Sequence, residues 1–242
     1  VDAAEPGPGY AALLVVPCRG LRADEDPRGI PRARLRVVYP GVSPSFAPAE
    51  GPDGLAAARA RIGCPGGYVL HFSSDDPRDN TPVALHAYAE LRRRRPGAPP
   101  LLVAGPVVSA LEAQQALAAQ LGIAERVRWI GYQSGDALVD VYRGASAYLD
   151  PSLFEGFGFQ VAEALAAGAP VVCSSATSLP EVVGDAGVLC APDDVRSFAE
   201  ALEGVLAGGG DALRERGPQR AARFRWERTA EETVAAWREL LP

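Results

Sequence analysis

Short apolar runs alternate with amphipathic helical patterns along most of this chain, and that alternation constrains its fold more than any other feature. Residues 68–72, 101–104, 127–130, 147–149, 171–173 and 187–190 read as strands. Between them, residues 81–94, 109–121, 136–142, 159–167 and 195–206 carry helical spacing, followed by two further helical patterns over 212–223 and 226–241. Strands that alternate with helices imply βαβ units. We therefore expect an α/β fold, with a Rossmann-like doubly wound parallel sheet. Ligands of such sheets bind at the carboxyl ends of the strands, beside the point where strand order reverses.

Residues 151–170 stand out within the pattern. A strand-like run ends at Asp150, Gly156 and Gly158 permit a tight turn, and a helix begins near Phe159. Glu155 lies in the turn and Glu163 inside the helix. The open N–H groups and positive dipole end of that helix favour a phosphate or another anion. If wholly helical, the eight steps from Glu155 to Glu163 would cover about 12 Å. Glycosidase carboxylate pairs work at roughly 5 to 9.5 Å. Two readings remain open for these glutamates alone: the two ends of a nucleotide-sugar cradle, or a buried carboxylate plus a solvated helix residue.

Composition removes several classes of function. A net charge of −6 argues against nucleic acid held by a basic field. The run from Arg92 to Arg95 closes a helix, where cations suit the dipole. Cys18, Cys64, Cys173 and Cys190 have no CxxC spacing, so we expect buried free thiols and a reducing compartment. No apolar run is long enough to span a bilayer, which leads us to expect a soluble, cytoplasmic protein. HExxH, Cys-His and GxxxxGK[ST] patterns are absent, so no metal site or P-loop is expected. Gly156-x-Gly158 lacks the rest of a dinucleotide fingerprint. His71 ends a strand near the expected pocket, where it either touches a ligand or bonds within the fold, and His86 receives no chemistry.

Every basic side chain is Arg, and Met is absent even at position 1. We expect this chain to be part of a longer protein, or one from which an N-terminal segment has been removed. After a strand over 35–39, Pro40-Gly41-Val42-Ser43-Pro44 reads as an interdomain joint. Residues 1–43 are then the remnant of an N-terminal domain plus linker, and 44–242 a second domain that carries the alternating pattern. The Gly208-Gly209-Gly210 run reads as a loop tip.

The string Phe154-Glu155-Gly156-Phe157-Gly158-Phe159-Gln160-Val161-Ala162-Glu163-Ala164, followed by Gly168-Ala169-Pro170, resembles the E-x7-E signature of retaining GT-B glycosyltransferases, family 4 above all. Ser178-Leu179-Pro180-Glu181, Trp129-Ile130-Gly131-Tyr132 and Arg225-Trp226 match the same family, and the likeness runs from about Arg34 onward. It implies transfer of a sugar from a nucleotide-diphosphate donor to an acceptor hydroxyl with retained configuration, without a metal or other cofactor. It also implies roles for residues. Glu155 would bind the donor sugar's hydroxyls and Glu163 the ribose. The backbone of Gly156, Phe157, Gly158 and Phe159 would approach sugar and diphosphate, while Gly105, Gly131 and Tyr132 would line the base pocket.

One position departs from the family's pattern: Asp79 stands where a phosphate-clamping lysine is usual. Arg78 would then supply the charge, helped by the Ser73 and Ser74 hydroxyls. Asn80 and Thr81 also suit a helix N-cap. An epimerase-like GT-B enzyme and a catalytically silent sugar-nucleotide-binding module are the alternatives. The acceptor is unknown. Peripheral membrane contact, if any, falls to the largely missing N-terminal domain, without which this chain should bind donor weakly.

Overall fold

The structure, a computed structural model, describes residues 14–16 and 35–239. Cys18 and most of the expected N-terminal remnant lie outside the described residues. Two short strands, β1 (Leu14–Val16) and β2 (Leu35–Val37), pair in parallel apart from the main sheet. After helix α1 (Gly51–Arg61) come β3 (Val69–Phe72), α2 (Thr81–Arg94), β4 (Leu101–Ala104), α3 (Leu111–Gln120) and β5 (Val127–Gly131). The second half runs α4 (Gly135–Gly144), β6 (Ala147–Asp150), α5 (Phe159–Ala166), β7 (Val171–Ser174), α6 (Leu179–Val183) and β8 (Gly187–Cys190). Helices α7 (Val195–Gly204), α8 (Gly210–Ala221) and α9 (Trp226–Arg238) complete the described chain.

All six strands of the main sheet are parallel, in the order β5-β4-β3-β6-β7-β8. Strand order reverses between β3 and β6, so a crevice opens beyond their carboxyl ends. Successive strand residues feed opposite layers, as a period of two requires. Leu70, Leu102, Tyr148 and Val171 join the layer with Val141, Val161 and Leu165 of α4 and α5. Val69, Leu101, Leu149 and Val172 join the other with Leu85, Tyr88 and Leu91 of α2 and Phe198 of α7. Burial on both faces explains why the strands read as near-continuous apolar runs. Helix α2 buries Ala84, Leu85, Tyr88 and Leu91, the stripe that marks an amphipathic helix.

Three local expectations change. Helix α1 has no counterpart in the sequence reading, because only Ala58 of its eleven residues is buried and no apolar stripe announces it. The Gly208 run is tighter than the expected loop tip: the backbone leaves helical geometry at the exposed Gly208, where φ is 118°, and α8 begins at Gly210. Asn80 precedes α2 but its side chain does not cap it. The expected linker lies against the start of α9, with the Val42 amide donating to the Phe224 carbonyl at 3.0 Å and the Thr229 hydroxyl to the Tyr39 carbonyl at 2.7 Å.

Cys64, Cys173 and Cys190 are buried free thiols. Among the described residues no cluster of His, Cys, Asp and Glu could hold a metal ion, and no helix is long and apolar enough to cross a membrane.

Candidate donor site at the switch point

Helix α5 points its N-terminus into the crevice between β3 and β6. Its N-cap is Gly158, with φ 93°, and no side chain caps the first turn. The open N–H groups are thus left for a ligand. The left-handed backbone at Gly158 is one a side chain would strain, and an added Cβ would sit 2.5 Å from Leu179 Cδ2. Only the stretch from Phe159 onward is helical, so the 12 Å helical rise between Glu155 and Glu163 does not apply.

The turn before α5 is held by its neighbours. The Glu155 amide donates to Thr177 Oγ1 at 3.0 Å, and Ser178 Oγ donates to the Glu155 carbonyl at 2.9 Å. Thr177 has a positive φ of 48°, an uncommon backbone for a β-branched residue. Phe157 turns inward and is buried, 5.3 Å from the Phe224 ring and 6.4 Å from that of Tyr39. Phe154 and Phe159 remain exposed.

Glu155 is half-buried, and its carboxyl is pushed up to about 7. Burial is the largest cause, followed by the charges of Asp150 and Asp79, with Arg78 opposing. Near neutral pH this group therefore exists in both protonation states, able to donate or accept a hydrogen bond. Asp150 is itself buried, accepting from Tyr148 at 3.0 Å and from the Ser152 amide at 3.1 Å. Glu163, one helical turn inside α5, accepts from the Tyr142 hydroxyl at 2.9 Å. Burial raises its pKa while that hydrogen bond lowers it.

The opposite wall is the β3 loop. Ser73 is buried, its hydroxyl within 2.7 Å of Thr81 Oγ1 and accepting from Gln114 Nε2 at 3.1 Å. Thr81 in turn meets His71 Nε2 at 3.0 Å, and His71 Nδ1 meets the Leu149 carbonyl at 3.0 Å. A carbonyl only accepts, so Nδ1 carries the proton and Nε2 accepts from Thr81. Burial lowers the His71 pKa, which agrees with a neutral ring. His71 thus bonds within the fold, the second of its two sequence readings, and the Ser73 hydroxyl faces the interior.

Asp79 does not point an unpaired charge into the crevice. Its carboxylate accepts from the amide and the hydroxyl of Ser74, both at 2.6 Å. Arg78 is exposed and its guanidinium lies on the Asp76 carboxylate, with Nε to Oδ2 at 2.9 Å. That pair holds the Asp76 carboxyl at about 2 and raises the Arg78 pKa. Asn80, whose φ is 54°, donates its amide to the carbonyls of Pro151 and Pro192, both at 2.9 Å.

Gly105 follows β4 with φ 122°, and an added Cβ would lie 2.0 Å from the Ser73 carbonyl oxygen, so no larger residue fits without a shift of the backbone. Its amide donates to the Gly131 carbonyl at 2.9 Å. Gly131 and the exposed Tyr132 stand at the end of β5, on the same pole of the sheet. The structure thus gathers the sequence-predicted residues along the carboxyl ends of β3, β4, β5 and β6. Tyr142, Asp150, Thr177 and the bridging Asn80 amide were not anticipated there. Only the unusual position of a polar residue in an apolar run could have flagged Asp150.

Residues 66–208 match the family model described as glycosyl transferases group 1. The chain belongs to this family. Its sequence is 39% identical over 215 residues to the D-inositol 3-phosphate glycosyltransferase of Nocardia farcinica, across 84% of this chain and 47% of that protein. It is 34% identical over 178 residues to O-antigen chain mannosyltransferase B of Escherichia coli, across 72% of this chain and 46% of that one. The chain thus spans about half the length of these relatives. In fold, this group 1 chain resembles the crystal structure of Anabaena HepE in complex with UDP and glucose, with a TM-score of 0.80 and 18% identity, over 93% of this chain and 63% of that one. The sheet is Rossmann-like, of the GT-B kind.

Proposed function

We propose that residues 44–242 form the donor-binding domain of a retaining glycosyltransferase, that residues 1–43 belong to its N-terminal domain and linker, and that the protein is cytoplasmic. The observation that carries this reading is the uncapped N-terminus of α5, aimed into the switch-point crevice with Glu155 before it and Glu163 behind it. The HepE complex, which holds UDP and glucose, favours a nucleotide-diphosphate sugar as the donor.

The diphosphate lies over the α5 N-terminus, where open N–H groups and the helix dipole stabilise the negative charge of the departing phosphate. Glu155 bonds the sugar hydroxyls and Glu163 the ribose, while Gly105, Gly131 and Tyr132 line the base pocket. Arg78 turns from Asp76 to the phosphates as charge develops on them. Helix terminus and guanidinium supply the positive charge, so no metal or other cofactor is invoked. The sugar ring, positive in the transition state, passes to an acceptor hydroxyl with its configuration retained.

One observation favours a second reading: Arg78 is paired with Asp76, as suits a binding module without turnover. Calorimetry of this chain with UDP, GDP and their sugar conjugates tests donor binding, and transfer assays on the full-length protein separate enzyme from silent module. Failure of every nucleotide to bind, or affinities unmoved by Glu163→Ala, would sink the assignment of this crevice.

A further inference from the structure

A second cleft, of about 810 Å³, opens at the opposite pole of the sheet, where the strands begin. Its wall includes Arg59, Arg95, Arg128 and Arg214, and among the described residues Asp211 is its only acidic one. The chain carries 24 basic residues against 30 acidic ones, so an average patch would be negative. This one has an excess of three positive charges, four arginines less one aspartate.

Part of the clustering has a structural origin. Helices end at this pole and present carbonyl groups, which arginines cap. Arg59 Nε donates to the Gly144 carbonyl at 3.0 Å and its Nη2 to Ser146 Oγ at 3.2 Å. Arg214 donates to the carbonyls of Gly168 at 2.9 Å and Ala145 at 2.7 Å, and Arg128 to that of Gly63 at 3.1 Å. Capping does not use up these groups. A guanidinium has five N–H donors, and Nη1 of Arg59 meets no acceptor among the described residues. Capping also does not explain Arg95, whose half-buried side chain makes no hydrogen bond or ion pair with a described residue. Burial and the nearby Arg59 charge lower the Arg214 pKa, whereas Asp211 raises it. Like charges thus face one another here without enough carboxylate to balance them.

We propose that this cleft is an anion site, remote from the donor crevice, that binds a phosphate-bearing ligand. Fixed guanidiniums match phosphate oxygens in geometry and in charge, and they can do so bidentately. The volume exceeds that of one phosphate group and suits a phosphorylated small molecule or an anionic lipid headgroup, which share that chemistry.

Inorganic pyrophosphate, titrated calorimetrically into the full chain at low ionic strength, provides the test. Arg95→Ala/Arg128→Ala should weaken its binding by about tenfold or more, a loss of two charge-assisted contacts. Arg95→Glu, at a side chain with no hydrogen bond or ion pair to a described residue, should do the same without loss of fold. Arg78→Ala, in the donor crevice, should leave the cleft's affinity unchanged. The site is refuted if wild type does not bind pyrophosphate, if the Arg95 variants bind as wild type does, or if Arg78→Ala alone abolishes binding. Sedimentation with phosphatidylcholine vesicles, with and without phosphatidylglycerol, identifies the source. Arginine-dependent sedimentation with the anionic vesicles assigns a lipid headgroup, and pyrophosphate binding without it assigns a soluble phosphate.

Discussion

Replacing Glu155 by Gln isolates the energetic consequence of its position. Its carboxyl lies at about 7 against an ordinary value of 4.5. In the folded chain it therefore holds a proton over a range in which the unfolded chain has released it. Where the folded state binds more protons, stability falls as pH rises. The loss begins near the unfolded value and is complete above the folded one. That displacement corresponds to roughly 3 kcal/mol at full strength, and solvent screening at this half-buried site brings it to about 1.5 kcal/mol. Gln keeps the shape of the neutral acid and cannot ionise. Urea unfolding of wild type and Glu155→Gln between about pH 5 and 9 should show the wild-type stability declining relative to the variant through neutrality, then levelling. Parallel pH profiles for the two proteins would refute the perturbed carboxyl. The proposed donor adds negative charge beside this group, so its binding should take up a proton and weaken as pH rises past 7, by at most about tenfold per unit.

Gly105→Ala should destabilise the fold by about 4 kcal/mol, since both the backbone conformation and the Ser73 carbonyl resist a Cβ, lowering the melting temperature by roughly 10 °C. A change below about 1 kcal/mol would mean the β3–β4 approach is looser than described. Gly158→Ala meets a movable leucine tip instead, so a stability loss of about 1–2 kcal/mol should accompany a larger fall in nucleotide affinity. Tyr142→Phe removes the hydroxyl that holds Glu163, costing about 1 kcal/mol of stability and raising KM for the donor more than it lowers kcat. Asp76→Asn frees Arg78 and should tighten donor binding by roughly two- to fivefold, while Arg78→Ala weakens it. An Asp76→Asn protein with unchanged affinity would show that Arg78 does not reach the phosphates.

Much of the sheet was legible because its strands are buried on both faces and bounded by glycine, proline or charge. The bounds of β4 and β8 coincide with those expected from the sequence, as do those of α2. Helix α1 was not legible, since its Ala-rich surface buries too little to leave a period. The glycines at 208–210 marked a real break between α7 and α8, which the chain makes at one residue, Gly208, with a φ of 118° that glycine adopts without strain. Glu155, Glu163 and the glycines between them were visible as a pattern, but their electrostatics were not. Burial raises Glu155 most, and the charges that add to it come from Asp150, five residues earlier at the end of β6, and from Asp79 on the β3 loop. Spacing along the chain reports neither the burial nor the approach of Asp79, 76 positions away. Nor does it report that Asp79 is satisfied by Ser74, or that Arg78 spends its charge on Asp76.

The Asn80 amide joins the loops that follow β3, β6 and β8 at a single point. A residue so placed acts as a keystone, and the rim of the crevice inherits its shape from a side chain assigned no contact with the donor. Loop grafts intended to change sugar preference would have to carry this joint along with the residues that face the sugar. An aspartate there would set a carboxylate against two carbonyl oxygens and spread the arch, however faithfully every residue of the pocket had been kept.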